Sequence, residues 1–533
     1  MSAPEEESPT PTGADGGPNP EDWHPLDRRT ALVTAILLFA IFAGSSVLIV
    51  VPIWAQSDAG PAALAWSVAG TVLITAGSAV ADHLRWRTTR YRLTDTRLEM
   101  HSGILFKRRR SLARERIRNV DLTANILLRA FGLVRLSIGT GEKVSESEGQ
   151  SIVLDPVARA EGERLRTDLL RRAGPAADPA DETALAVWSP RWIRYVPISV
   201  FTLLIAAGAA GAVFQVTEWF GVPELPVTWA RSLADRFGAW PALLGASVVF
   251  VVAGAVGLTA LGLESWWNYR LERADGVLRV RRGLLTSRST SFEESRVRGV
   301  ELVEPLGIRL AGAARLDVLA TGLRADAEKQ DAATLVPGSP RDVPLAVAER
   351  ILGVPLPADL RPHPRAARNR RLFRAALVIV GLVAVVCMLV LTVRPTAFWT
   401  SVIIVAAVVG SMIAVAVAVD GARSLGHALT PDHLVARRGS IRRSTVSLSR
   451  PGIIGWRIRQ SVFQRRVGVL TVTATTAASR GRYSVVDVGS ATGLGLADEA
   501  VPGLLRPFLM AAEPMGADTE GVGARGDQVG RRP

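Results

Sequence analysis

The feature that most constrains this chain is a unit that occurs three times along its 533 residues. Each unit consists of two apolar spans followed by a basic segment rich in strand-forming residues. Each segment has two landmarks, an opening ring residue and the arginine of an Arg-x-x-Gly sequence, which are Tyr91 and Arg129, Tyr269 and Arg309, and His427 and Arg465. The landmarks are 38, 40 and 38 residues apart, which indicates internal duplication of a unit large enough to be a small domain.

Six stretches of the sequence carry no charged residue, although the chain holds 63 basic side chains. An α-helix needs about 20 apolar residues to cross the ~30 Å hydrocarbon core of a bilayer, and each stretch is close to that length. The stretches cover residues 31–54, 62–81, 195–214, 238–263, 375–393 and 396–419. We therefore predict an α+β integral membrane protein with six transmembrane helices in three hairpins, at residues 30–82, 195–263 and 372–419.

The placement of the basic residues predicts the orientation of these hairpins. Only three of the 63 lysines and arginines, Arg231, Arg236 and Arg394, lie in the connections within the hairpins. Basic residues remain on the cytoplasmic side of a membrane protein, so both termini and all three basic segments are expected in the cytoplasm.

The segments that follow the hairpins alternate in hydrophobicity as strands do. We expect modules of short antiparallel strands closed by a C-terminal helix at residues 83–173, 264–355 and 420–510. Asp155-Pro156 and Ser339-Pro340 are predicted to open the helices of the first two modules. In the first module, Leu165 and Leu169 are expected on the buried face of that helix.

The remaining segments are two linkers and the two termini. A linker at 174–194 and a basic linker at 356–371 join each module to the next hairpin. The termini, residues 1–29 and 511–533, are rich in proline, glycine and charge, and we predict that they are disordered.

The first module carries four motifs: Tyr91-Arg-Leu-Thr-Asp, Gly103-Ile-Leu, Arg116-Ile-Arg-Asn-Val and Leu128-Arg-Ala-Phe-Gly-Leu. With the alternation of hairpins and modules, they resemble membrane-bound bacterial pleckstrin-homology (PH) domains, as in YdbT-like proteins, over about residues 31–510. The resemblance implies that each module is a PH-like split β-barrel with a C-terminal helix. It also implies a setting in envelope stress or resistance to secreted peptides, with which some members are associated.

The sequence contains no recognisable motif for catalysis or metal binding. The six histidines are scattered, no His or Cys pair has the spacing of metal ligands, and no Walker A sequence occurs. The glycines at Gly521, Gly523 and Gly526 match a dinucleotide fingerprint formally but follow no predicted strand. We expect no catalytic residue, no cofactor and no metal, and we predict that the protein is not an enzyme.

The strongest local charge feature is the run Lys107, Arg108, Arg109 and Arg110, which we expect in an exposed turn. Two readings stay open. In the first, the run only fixes the topology of the chain. In the second, it binds anionic lipid headgroups, and each basic residue near the membrane surface contributes about 1 kcal/mol of binding free energy. The run lacks the stacking aromatic residues of single-strand binders, so no nucleic-acid partner is expected. The expected partners are the bilayer, anionic phospholipid headgroups, and a membrane protein or a second copy of the chain.

These observations predict a scaffold or adaptor in the bacterial inner membrane, with three cytoplasmic PH-like modules. The alternative is a component of an export or transport system that moves a peptide or a lipid-like molecule. No carboxylate lies within the six predicted spans, which argues against coupling to protons or ions. A closely packed apolar helix bundle would favour the scaffold, and a polar, water-lined path would favour transport.

Overall fold

The structure is a computed structural model that describes residues 23–29, 32–33, 35–45, 61–103, 107–117, 119–139, 151–170, 183–274, 276–321 and 333–508. The elements of the first unit are β1 (His24–Pro25), α1 (Ala35–Ser45), α2 (Pro61–Thr88), β2 (Arg90–Leu93), β3 (Arg97–Ser102), β4 (Arg108–Ala113), β5 (Asn119–Ala124), α3 (Ile126–Ala130), β6 (Leu133–Gly139), β7 (Ser151–Ala158) and α4 (Arg159–Leu170).

The other two units repeat this order. The second contains β8 (Thr183–Val187), α5 (Val200–Trp219), α6 (Leu225–Phe237), α7 (Ala239–Trp266), β9 (Arg270–Ala274), β10 (Val277–Arg282), β11 (Ser287–Glu293), β12 (Val297–Pro305), α8 (Leu306–Leu310), β13 (Ala313–Ala320), β14 (Thr334–Pro340) and α9 (Asp342–Leu352). The third contains β15 (Arg361–Pro362), α10 (Arg365–Val393), α11 (Ala397–Arg423), β16 (Gly426–Leu429), β17 (His433–Arg438), β18 (Arg442–Ser449), β19 (Gly455–Arg459), α12 (Val462–Arg466), β20 (Val469–Thr475), β21 (Arg482–Gly489) and α13 (Ser490–Ala500).

Four helices in the described part of the chain, α5, α7, α10 and α11, are long and apolar enough to cross a membrane. They correspond to the second and third predicted hairpins. Residues 46–60 of the first predicted hairpin lie outside the described residues, and α1 and α2 cover the parts on either side. The connection between α5 and α7 contains the helix α6, which the sequence analysis did not predict. Its Leu225, Trp229, Leu233 and Phe237 recur every four residues and are exposed, as in a helix that lies along a membrane surface.

The helices of the second hairpin pack closely where a residue without a side chain allows it. Gly254 of α7 is buried, and a Cβ atom added there would lie 2.5 Å from the Thr202 carbonyl oxygen of α5. Small residues at such a crossing let two helix backbones approach, which is a common way to hold helices together in a bilayer.

Each module is divided between two antiparallel sheets. Its first three strands, with one strand from before the hairpin, form a four-stranded half sheet, and its last three strands form another half sheet, with the C-terminal helix packed on the latter. The last three strands of one module join the four-stranded half sheet of the next in a single seven-stranded sheet. The two joined sheets have the orders β7-β6-β5-β11-β10-β9-β8 and β14-β13-β12-β18-β17-β16-β15. The half sheets at the ends, β1-β2-β3-β4 and β19-β20-β21, stand alone in the described part of the chain.

The outermost strand of each first half sheet comes from the segment that precedes the hairpin. These strands, β1, β8 and β15, pair with β2, β9 and β16 respectively. Here the structure differs from the expected disordered N-terminus, and the two linkers each contribute a strand. Residues 23–29 are described, and the buried Leu26 accepts a hydrogen bond from Trp86 Nε1 at 2.7 Å through its carbonyl oxygen. Residues 1–22 and the predicted disordered tail, 511–533, lie outside the described residues.

The helix that closes the first module buries the two leucines expected there, Leu165 and Leu169, which are 4% and 7% exposed. The predicted helix starts were wrong. Asp155-Pro156 lies within β7 and Ser339-Pro340 ends β14, because both segments continue to pair with the preceding strand. The helices begin later, at Arg159 and Asp342.

Candidate functional site

The basic run that the sequence singles out lies mainly on a strand and not in a turn. Arg108, Arg109 and Arg110 begin β4, where they pair with Ser102, His101 and Met100 of β3. Lys107 precedes the strand, and residues 104–106 of the turn lie outside the described residues. Lys107, Arg108 and Arg109 are exposed, so the run presents positive charge along one end of the molecule.

A second basic site lies where the first two modules join. Strand β5 pairs with β11 from Asn119 and Phe292 at one end to Ala124 and Ser287 at the other. Beside this pair is a cavity of about 310 Å³. Its charged lining consists of five arginines and a single carboxylate, which are Arg129, Arg159, Arg281, Arg282, Arg288 and Glu163. The excess of guanidinium groups suits the cavity to an anion.

The packing of the surrounding elements holds two of these arginines in place, Arg282 and Arg129. Arg282 is only 6% exposed, and its guanidinium carbon lies 4.1 Å from the centre of the Trp266 ring, in a cation–π contact. Arg129 donates a hydrogen bond from Nη1 to the Leu284 carbonyl oxygen. The one carboxylate, Glu163, pairs at 2.8 Å with Arg166, so its charge is already compensated.

The cavity lies next to the end of a membrane helix. The turn between β10 and β11 is bonded to the C-terminal end of α7, with Leu284 N donating to Glu264 O at 2.9 Å and Gly283 N donating to Trp267 O at 2.8 Å. The Glu264 carboxylate also accepts from the backbone N–H of Leu285, at 2.8 Å. Trp266 and Trp267 stand at this end of α7, and tryptophans at the end of a membrane helix favour the headgroup layer.

The joint between the second and third modules has the same pairing but a different charge balance. Strand β12 pairs with β18, and Glu304 occupies the place that Ala124 has in the first joint. Glu304 lies 3.0 Å from Arg341. Asp420, at the end of α11, lies 2.8 Å from Arg309 and accepts from Arg443 at 3.1 Å. The arginines of the second joint are therefore neutralised by carboxylates of the protein itself.

Beside the second joint lies an ionic cluster around two buried carboxylates, Glu301 of β12 and Asp317 of β13. Ser444 donates to the Glu301 carboxylate at 2.6 Å, and Arg480 lies 3.6 Å from the same group. Arg315 and Thr334 donate to the carboxylate of Asp317 at 2.9 and 3.0 Å. Burial raises the pKa of Asp317, although Arg315 acts in the opposite direction. Polar groups buried and satisfied in this way favour one strand register over others.

A histidine pair fastens the linker to the third module. His363 Nδ1 donates to the Val486 carbonyl oxygen at 2.9 Å, and His363 Nε2 lies 3.1 Å from His427 Nδ1. This geometry fits two neutral rings, with His427 Nδ1–H as the donor. Burial, followed by the charges of His363 and Arg361, lowers the pKa of His427 to about 4. Burial also lowers the pKa of His363.

The described residues contain no group of three or more His, Cys, Asp and Glu side chains that could hold a metal ion. Sequence reasoning identified the repeated Arg129 and Arg309 as landmarks. It did not bring the arginines of the cavity together, because the cavity arises from strand pairing between modules. The sequence signal available was the repetition of an arginine at a fixed distance before each glycine.

The chain matches the bacterial PH domain family three times, over residues 31–173, 193–354 and 375–495. It is also 22% identical over 331 residues to the UPF0699 transmembrane protein YdbT of Bacillus subtilis (strain 168). That similarity covers 58% of this chain and 65% of the length of the relative. No solved structure matches the chain. The resemblance drawn from the motifs is confirmed, since the three matches cover most of the sequence: this chain is a membrane protein that belongs to the bacterial PH domain family.

Proposed function

We propose that this chain is a non-enzymatic scaffold of the bacterial inner membrane, with six spans in three hairpins and with its termini and PH-like modules in the cytoplasm. The joint cavity binds the anionic headgroup of a phospholipid and so fixes the modules against the bilayer. Envelope stress, which the family resemblance implies, enters this proposal as the setting in which the scaffold works.

The observation that carries the proposal is the arginine-lined cavity beside the end of α7. Five guanidinium groups line the cavity beside one carboxylate that is already paired. Arg281 also lies 4.0 Å from Glu272, and Arg282 is buried against Trp266. Arg282 is buried and Arg129 is held by its hydrogen bond to Leu284, so these two arginines bind a phosphate at the headgroup layer with little loss of side-chain freedom. The modules are joined through strands, so one bound lipid would orient more than one module.

The packing of the second hairpin supports the scaffold over the transport alternative. Helices α5 and α7 approach closely at Gly254, whose position leaves no room for a side chain. A closely packed pair is the arrangement expected of a structural bundle. A transport role would need a polar path between the helices.

The test exploits the difference between the two joints. Replacing Ala124 by Glu introduces the carboxylate that Glu304 supplies in the second joint, whereas Ala124→Gln adds similar bulk without charge. The full chain in neutral detergent is titrated with short-chain phosphatidylglycerol. We expect Ala124→Glu to weaken binding by about tenfold or more relative to Ala124→Gln, and added salt to weaken binding to the Gln variant.

Equal affinity of the Glu and Gln variants for the lipid would exclude the cavity as the headgroup site. A parallel titration with inorganic phosphate separates the two sources of a phosphate group. Weaker binding of free phosphate supports a lipid, and binding as tight as that of the lipid supports a soluble ligand.

The basic run forms a proposed second contact with the same headgroup layer. Replacing Lys107, Arg108, Arg109 and Arg110 by Gln should reduce the preference of the full chain for acidic over neutral bilayers, and an unchanged preference would leave these residues with topology alone.

A further inference from the structure

The two joints are the same interaction made twice. Ala124 and Glu304 each stand eight residues before the glycine of an Arg-x-x-Gly sequence, and Ser287 and Arg443 each stand four residues after a hairpin glycine. Ala124 pairs with Ser287 in the first joint, and Glu304 pairs with Arg443 in the second. The second half of a module therefore adds to the first half of the next module in one fixed register.

A repeated arginine accompanies each joint. Arg129 donates from Nη1 to the Leu284 carbonyl oxygen, and Arg309 donates from Nη1 to the Ser440 carbonyl oxygen at 3.1 Å. In both cases the acceptor belongs to the turn that precedes the paired strand of the next module. Arg465 has the same position in the third module and is exposed. The third module thus has the arginine that accompanies each of the two joints.

Strand β19 is the counterpart of β5 and β12, yet within the described residues it pairs with β20 alone. Large apolar side chains beside this edge are exposed: Ile454 is 64%, Val462 63% and Phe463 67% exposed. An unpaired strand edge bordered by exposed apolar residues is a ready template for a strand of another chain.

A second copy of this chain is a poor occupant of that edge. The matching edge at the other end of the molecule is β4, the outermost strand of its sheet among the described residues. In the register of the joints, Arg457 would lie opposite Arg110, and Arg459 opposite Arg108. Like charges directly opposite one another destabilise a strand pair. The two free edges therefore repel each other.

The internal joints have the opposite charge at the equivalent place. Asp121 of β5 and Glu301 of β12 stand where β19 has Arg457, eleven residues before the respective glycine. Their partners in the joints, Thr290 and Val446, carry no charge. The arginines of β19 thus distinguish this edge from the two internal ones, and they call for carboxylates on the strand that pairs with it.

We propose that β19 is a docking edge for a second protein that presents the first half sheet of a PH-like module, with acidic residues on its outer strand opposite Arg457 and Arg459. The partner strand pairs in the register of the two internal joints, and Arg465 holds the turn that precedes it. The inference rests on the proposed scaffold role and not on the lipid site. A negative lipid titration would therefore leave the docking edge standing, and a negative association test would leave the lipid site standing.

The test supplies the acidic strand from the chain itself. One protein is the wild-type chain, and the other carries Arg108→Glu, Arg110→Glu, Arg457→Glu and Arg459→Glu. We expect each protein alone to show no end-to-end association in nanodiscs, because equal charges meet. A mixture of the two should associate, with a dissociation constant at least about tenfold below that of either protein alone, as mass photometry would measure.

Cysteine pairs test the register. In a chain with Cys387→Ser, Trp456→Cys on one molecule and Ser111→Cys on the other stand opposite each other and should form a disulfide in the mixture. Gln460→Cys with Ser111→Cys is out of register and should not. If the fourfold variant misfolds, a variant with only Arg457→Glu and Arg459→Glu, both on an exposed strand, takes its place. The β19 strand of this variant is expected to pair with β4 of a second copy of the same variant.

Association of the wild-type chain with itself, through β19 of one molecule and β4 of another, would overturn the proposal, because the occupant of the edge would then be a second copy. A mixture and a β19 variant that both remain unassociated would show that β19 is not a docking edge.

Discussion

At the scale of single residues, the histidine pair couples the third module to pH. His427 is 2% exposed, and burial lowers its pKa to about 4, whereas an unfolded histidine titrates near 6.5. Between these values the unfolded chain binds more protons than the folded chain. Stability from this residue is therefore complete above about pH 6.5 and is lost as the pH falls towards 4.

We expect the third module to lose about 3 kcal/mol of stability through His427 between pH 7 and 4, at ~1.4 kcal/mol per pKa unit. Thermal unfolding of the full chain at a series of pH values measures this loss. The variant His427→Gln should show a smaller loss on acidification than the wild type, and His83→Gln, at an exposed position, should behave as the wild type. A His427→Gln profile parallel to the wild-type profile would contradict the assignment.

Residue identity alone predicted some of these features and not others. Leu165 and Leu169 were predicted to be buried from their spacing on a helix, because that spacing depends only on local geometry. Arg129 and Arg309 were recognised as landmarks, but their hydrogen bonds end on the next module. Such contacts depend on which strand edges meet, and a single sequence carries no direct record of that pairing.

At the scale of elements, the long apolar helices and most strands follow the periodicity of the sequence. The elements that sequence reasoning missed are short or lie beyond the expected boundaries. Strands β1 and β15 are two residues long, contain proline and gain their stability from pairing with the following module. Helix α6 lies in a connection for which no element was predicted, although its apolar residues recur every four positions.

The hairpins yield a prediction on topology, motivated by the three basic residues in their connections against 63 in the chain. A reporter that is active only outside the cytoplasm should be active when inserted near Asp58 or Asp235. It should be silent when fused after Ala173, Leu352 or Met510. Activity after any one module would contradict the six-span arrangement.

At the scale of the whole molecule, the modules are not separate domains connected only by linkers. Each joint is a continuous antiparallel pair, and in the second joint a buried carboxylate, Glu301, also lies close to Arg480. The repeat and the family were evident from the sequence. The sharing of sheets between modules was not, since alternation predicts strands and faces but not their neighbours across a domain boundary.

Hydrogen–deuterium exchange on the full chain in nanodiscs tests this central claim most directly. Backbone amides that donate across a strand pair exchange slowly, and amides on an open edge exchange fast. We expect β11 and β18 to be protected to the same degree as β10 and β17, and β19 to exchange at its open edge much faster than β5 and β12. Exchange in β11 and β18 as fast as in β19 would contradict the joined sheets.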